Sequence, residues 1–237
     1  MKKFLSLLLA GTMLFSLAAC GEDKEEKSND ENKGEIVEGG GIDIGGAEVG
    51  EYITFGSYEQ DNDTSNGKEP IEWLVLDKQD GKVLVISKYA LANQPFNGSG
   101  IWEKSNLRSW LNDTFVSEAF NEAQLKMIPT VTVSAERNET FGTESGNDTQ
   151  DKVFCLSESE AKKYFALDSE RCSSSTKYAE ALGATNHSST GYTNWWLRTT
   201  GAELGFATHV GYDGHVSGNG AITGYDLGVR PAMWIEL

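Results

Sequence analysis

The stretch TNWWLRTTGAELGFATHVGYDGHVSGNGAITGYDLGVRPAMWIEL, Thr193 to Leu237, decides the architecture of this chain. Apolar segments stand at its two ends, Trp195-Trp196-Leu197 and residues 229–235, and each carries one arginine, Arg198 and Arg230. Between them run glycines, aromatics and polar residues with a turn signal every few positions. This alternation predicts antiparallel strands that finish the fold, with the irregular middle left outside the core. Trp195, Trp196 and Trp234 double or alternate within the strands, so at least half of them face the interior. Each arginine follows an apolar strand residue, where its fork can satisfy buried carbonyls or carboxylates; anion binding is the alternative.

Upstream, residues 52–58 alternate weakly as a first strand, and residues 70–76 form a stronger one. Asp80-Gly81 marks a tight hairpin leading to a return strand over residues 83–86. Ser105 can cap a helix through Asn112 that places Leu107, Trp110 and Leu111 on one face. A second helix is expected over residues 119–128, ended by Pro129, followed by a strand at residues 130–133. Residues 136–150 read as an exposed polar loop, and residues 151–156 as a strand. Ser157 and Glu160 form a capping box that opens another helix. A last helix spans residues 176–182, with Gly183 ending it. The sum is an α+β domain.

The N-terminus has a different logic. Lys2 and Lys3 precede an apolar run over residues 4–17, too short to span a bilayer comfortably, and then comes Leu17-Ala18-Ala19-Cys20. A cysteine in that setting resembles the lipobox of bacterial lipoproteins. The resemblance implies cleavage after residue 19 and a diacylglycerol on the Cys20 sulfur, holding the protein on the outer face of the cell membrane; an ordinary secretory signal is the alternative. Two acyl chains supply the two hydrophobic signals that stable anchoring needs. Residues 20–50 then form an acidic, Gly-rich tether, too poor in apolar residues to bury a core. Extended, it could reach about 100 Å. Residues 51–237 make one globular domain of ordinary length.

The formal charge is −16. Loss of Lys2 and Lys3 with the signal brings it to −18, and the tether's ten acids against Lys24, Lys27 and Lys33 leave −11 on the domain. No Lys/Arg cluster stands out, so nucleic acid and anionic lipid headgroups are excluded as electrostatic partners. Neutral ligands, cations and basic partners remain.

Of the three cysteines, Cys155 sits in an apolar run and Cys172 follows Arg171 in a helical stretch. A disulfide between them is allowed by export but not required. The loop holding Asp61, Asp63 and Ser65, with Glu72 further on, has a calcium-loop flavour. Its glycine falls one residue late and Pro70 interrupts it, so a solvated loop is the reading, and neither a metal nor a cofactor is expected. His209 and His215 flank Asp213 and could form an acid–base or ligand group; cross-strand pairing without chemistry is the simpler account. No Gly-x-Ser-x-Gly, His-Glu-x-x-His or P-loop occurs, and no catalytic residue is assigned.

Five segments carry a family likeness: residues 71–76 (IEWLVL), 107–112 (LRSWLN), Arg171-Cys172 before Thr176-Lys177-Tyr178-Ala179, Trp195-Trp196-Leu197-Arg198, and residues 228–232 (GVRPA). Together they resemble an uncharacterised domain of exported proteins and lipoproteins of anaerobic Gram-positive bacteria. A more distant resemblance is to C-type-lectin-like domains, including the formylglycine-generating enzymes, with Gly228-Val229-Arg230 at the terminal strand. It implies a small twisted antiparallel sheet, two or more helices, and ligands met by irregular loops. The copper-binding cysteine pair of those enzymes has no counterpart, since no cysteine follows Cys172. The Glu-Pro-Asn type triplet of sugar-binding lectins is also missing. The expectation is a lipid-anchored, non-enzymatic binding module for a glycan or protein, with Tyr212, Asp213, His215, Asn219, Tyr225 and Asp226 as its ligand-binding residues. Alternatives are an envelope enzyme using His209, Asp213 and His215, or a domain that packs against another protein.

Overall fold

The computed structural model describes residues 44–237, so the expected signal peptide, the expected lipid attachment at Cys20 and most of the expected tether lie outside the described residues. Ile44 and Ala47 are buried in the hydrophobic core, and the Gly50 N–H donates to the Val75 carbonyl at 2.9 Å. The last residues of the acidic stretch therefore belong to the packed domain.

The chain opens with three strands, β1 (Tyr52–Tyr58), β2 (Glu69–Gln79) and β3 (Lys82–Ser87), and a short β4 (Ala92–Pro95). The helices α1 (Asn106–Trp110) and α2 (Val116–Ala119) flank a π-helical turn, and α3 (Glu122–Met127) follows. Small strands β5 (Val131–Val133), β6 (Thr149–Asp151) and β7 (Val153–Phe154) lead into α4 (Glu158–Tyr164), α5 (Asp168–Arg171) and α6 (Lys177–Ala181). The chain closes with β8 (Trp195–Thr200), β9 (Phe206–Val210), β10 (Val216–Ile222), β11 (Asp226–Val229) and β12 (Ala232–Glu236).

These strands build two five-stranded sheets, ordered β1-β2-β3-β12-β7 and β10-β9-β8-β11-β4, with β5 and β6 paired separately. All named pairings are antiparallel except β8 with β11. The closing stretch thus divides: β8 to β11 make most of one sheet, and β12 crosses to the other, where it lies between β3 and β7. All six residues of β8 are buried. Trp195 and Trp196 point to opposite faces and are both fully enclosed, as is Trp73. Their indole N–H groups reach the carbonyls of Arg171, Gln94 and Phe55, which removes the cost of burying a donor. Trp234 is half-buried.

Two local expectations change. The helix over residues 119–128 breaks at Phe120, whose backbone is extended, and Asn121 caps α3 in a capping box with Gln124. Residues 136–150 are not a free loop, because Asn138, Ser145 and Thr149 are buried and residues 149–151 pair as β6. Among the described residues no helix is long and apolar enough to cross a membrane.

Candidate functional site

A cleft of about 420 Å³ opens where α4, α5, β10 and the loop after β5 converge. Its floor is set by the first turn of α4. Ser157 accepts the Glu160 N–H, and the Glu160 carboxylate accepts the Ser157 N–H, so the helix start is fixed. Beside that cap the Glu158 N–H donates to Thr199 Oγ1 on β8 at 2.9 Å. Glu158 is 3% exposed; its Oε1 accepts from Lys162 Nζ at 2.9 Å, one helical turn on, while its Oε2 is buried without a partner. Lys162 also donates to Glu139 at 2.7 Å. Burial works against the Lys162 charge, but these carboxylate contacts outweigh it and raise its pKa.

One wall is the loop after β5. Asn138 is buried, and its amide donates to the Thr200 and Gly218 carbonyls at 3.0 and 2.8 Å. Its Oδ1 accepts the N–H groups of Thr140 and Phe141, both at 3.0 Å. This single side chain fixes the loop to β8 and β10 and presents Phe141, 47% exposed, at the cleft.

The opposite wall is α5 against the β9–β10 turn. Arg171 is buried; Nε donates to the Gly214 carbonyl at 2.8 Å, Nη1 to that of Phe165 at 2.6 Å, and Nη2 pairs with Asp168. The turn approaches so closely that a Cβ on Gly214 (φ +82°) would lie 1.7 Å from the Asp168 carbonyl oxygen. His215 and Asn219 complete the lining. The charged lining residues are two acids, Glu158 and Asp168, and two bases, Lys162 and Arg171, so their formal charges cancel in an otherwise acidic protein.

Of the residues expected to bind ligand, His215 and Asn219 are in the cleft. Asp213 is spent on the turn, its Oδ1 accepting the His215 N–H at 3.0 Å. Tyr212 stacks on His187 with ring centres 3.8 Å apart, so one ring face is already covered. Tyr225, in the β10–β11 connection, and Asp226, the first residue of β11 and paired with Pro95 of β4, lie away from the lining. Glu158, Phe141 and Asn138 were not anticipated.

The His209/Asp213/His215 group does not assemble as a relay. His209 faces Ser217 across the hairpin, packs edge-on to Trp196 and has a buried Nδ1 without a partner. Burial holds its pKa below the ordinary value; Asp213 opposes that shift and His215 adds to it. Among the described residues no hydrogen bond joins the Asp213 carboxylate to either imidazole.

The two closing arginines are committed to framework. Arg198 binds Glu160 and the Cys155 carbonyl. Arg230 donates to the carbonyls of Ser87 and Arg171 and sits 4.8 Å over the Trp195 ring; burial brings its pKa down to about 10. Gly228, before it, is required by crowding: a Cβ there would lie 2.9 Å from both Ala90 Cβ and the Asn194 carbonyl oxygen. Cys155 and Cys172 are both free, and burial raises the Cys155 thiol to about 12, a value at which it is inert.

A family model described as a domain of unknown function, DUF6273, matches residues 80–237. A search of the curated proteins found no match, and a search of the solved structures found none.

Proposed function

The chain belongs to the DUF6273 family, and from that premise we propose that it is a surface binding module whose α4–α5–β10 cleft takes a neutral, polyhydroxylated ligand such as a glycan. The observation that carries this reading is the pairing of an exposed Phe141 with an orphaned, buried Glu158 Oε2 in one cleft of cancelling charge. A sugar offers an apolar C–H face for the ring to cover and hydroxyl donors for an acceptor that lacks one. Asn219 and His215 at the rim add directional polar contacts. A charged ligand would meet both signs within a few ångströms and gain little.

The lipidated Cys20, export, and residence on the outer face of the cell membrane belong to the same proposal. They rest on Leu17-Ala18-Ala19-Cys20 after a basic start and an apolar run. The anchor is checked by fractionation: a Cys20→Ser chain should leave the membrane fraction, and retention there would refute lipidation. The likeness to C-type-lectin-like domains is part of the proposal too. It is supported by an Arg230-bearing connection that places the last strand inside a sheet, between β3 and β7, and by Phe141 and His215, which line the cleft from irregular connections.

A screen of neutral saccharides and peptides against the full chain, repeated with Phe141→Ala, tests the binding function. Saccharide binders lost in the variant support it. Peptide binders insensitive to Phe141 would favour a protein-interaction domain instead.

A further inference from the structure

We propose that the mouth of the β1–β2 hairpin is a divalent-cation site, built for Ca²⁺ from the carboxylates of Glu59, Asp61 and Glu69. Each of the three offers one carboxylate oxygen, and these oxygens all lie within 4.8 Å of one another. The hairpin enforces the meeting. Tyr58 and Glu69 are the last paired residues of β1 and β2, so Glu59 leaves the ladder directly beside the start of the returning strand. The Gln60 and Asp61 N–H groups then donate to Glu69 Oε2 at 2.6 and 3.3 Å, folding the intervening loop back on its own base.

The second observation is the state of Glu59. It is 7% exposed, and its Oε1 is buried with no hydrogen-bond partner. Among the described residues no lysine, arginine or histidine forms an ion pair with any of the three acids. A buried carboxylate beside two others is penalised by lost hydration and by like-charge repulsion. A bound cation removes both penalties at once.

The ligand chemistry selects the ion. Three hard oxygen donors, with no histidine or cysteine in the group, disfavour zinc and copper. Asp61 also lines a neighbouring cleft of about 280 Å³ with Tyr89 and Ser175, which leaves room for water or ligand oxygens. An irregular loop suits Ca²⁺, which takes about six to eight oxygens in flexible geometry, better than Mg²⁺, which demands a near-ideal octahedron. This is not the arrangement suggested by the residue spacing. Asp63 and Glu72 stand outside the group of carboxylates that converge, and Glu72 pairs with Lys88 at 2.8 Å.

The test is calorimetric titration of CaCl₂ and MgCl₂ into the full chain after chelator treatment. One saturable Ca²⁺ site per chain is expected, with Mg²⁺ at least about tenfold weaker. Glu59→Gln and Asp61→Asn should each weaken Ca²⁺ at least about tenfold, and Asp63→Asn should stay within about twofold of wild type. If Glu59→Gln fails to fold, the exposed Asp61→Asn decides alone. No saturable Ca²⁺ heat, unchanged affinity in Asp61→Asn, or equal affinity for Mg²⁺ would overturn the proposal.

Discussion

Arg198 closes a fork on Glu160: Nη2 donates to Oε1 at 2.9 Å and Nη1 pairs with Oε2, with the arginine side chain 3% exposed. The same carboxylate caps α4 by accepting the Ser157 N–H at 2.9 Å. One contact therefore ties strand β8 to the helix whose first residue, Glu158, forms the cleft floor. Removing one partner of a buried pair costs about 3–5 kcal/mol, and because the Glu160 side chain is 25% exposed the low end of that range applies. Arg198→Ala should lose stability on that scale in urea melts. Arg198→Lys should recover less than half of the loss, because an ammonium cannot make the fork. A loss within about 0.5 kcal/mol would remove the pair from the framework.

Stability should fall in two steps on acidification. The first belongs to His209. Burial lowers its folded pKa below the unfolded value, so its contribution is full at neutral pH and is lost as pH falls below the ordinary imidazole range. The second belongs to Glu160. Burial alone would raise its pKa, but the charge and hydrogen bonds of Arg198 win and lower it, so its contribution is lost as pH falls through the carboxylate range. Melting temperatures between about pH 8 and pH 3 would show both steps. His209→Gln should abolish the upper one and leave the lower.

Gly214→Ala should be among the most damaging single-methyl changes. The added carbon must fit at φ +82° and 1.7 Å from the Asp168 carbonyl oxygen, and Arg171 holds that turn against α5. Strain and overpacking together should cost about 3 kcal/mol or more. Gly224→Ala, which meets nothing within 4 Å, is the matched control and should be close to neutral. Equal melting temperatures for the two variants would contradict this packing.

Local chemistry made much of the fold readable. Asp80-Gly81 announced its hairpin, and both residues have positive φ, 51° and 71°, as a two-residue turn requires. Ser157 and Glu160 announced the start of α4 as a capping box. The strand β4 was missed because Ala92-Asn93-Gln94-Pro95 has no apolar alternation; it pairs only because β11 arrives beside it. The cleft was half readable. His215 and Asn219 lie in a stretch whose turns marked it as irregular. Phe141, Glu158 and Arg171 come from three other segments, brought together by contacts such as Asn138 to Gly218 that no local pattern encodes. One signal was available: Phe141 is a lone aromatic in a polar stretch, with nothing of helical or strand period around it.

The cleft itself is the central claim, and a paired titration tests it most directly. A neutral saccharide selected by screening would be titrated by calorimetry into the wild-type chain, Phe141→Ala and Tyr225→Ala. Phe141 lines the cleft and Tyr225 does not, although both rings are exposed. The account predicts that Phe141→Ala weakens binding about tenfold, the worth of one good stacking contact, while Tyr225→Ala stays within about twofold of wild type. Unchanged affinity in Phe141→Ala, or a larger loss in Tyr225→Ala, would contradict it.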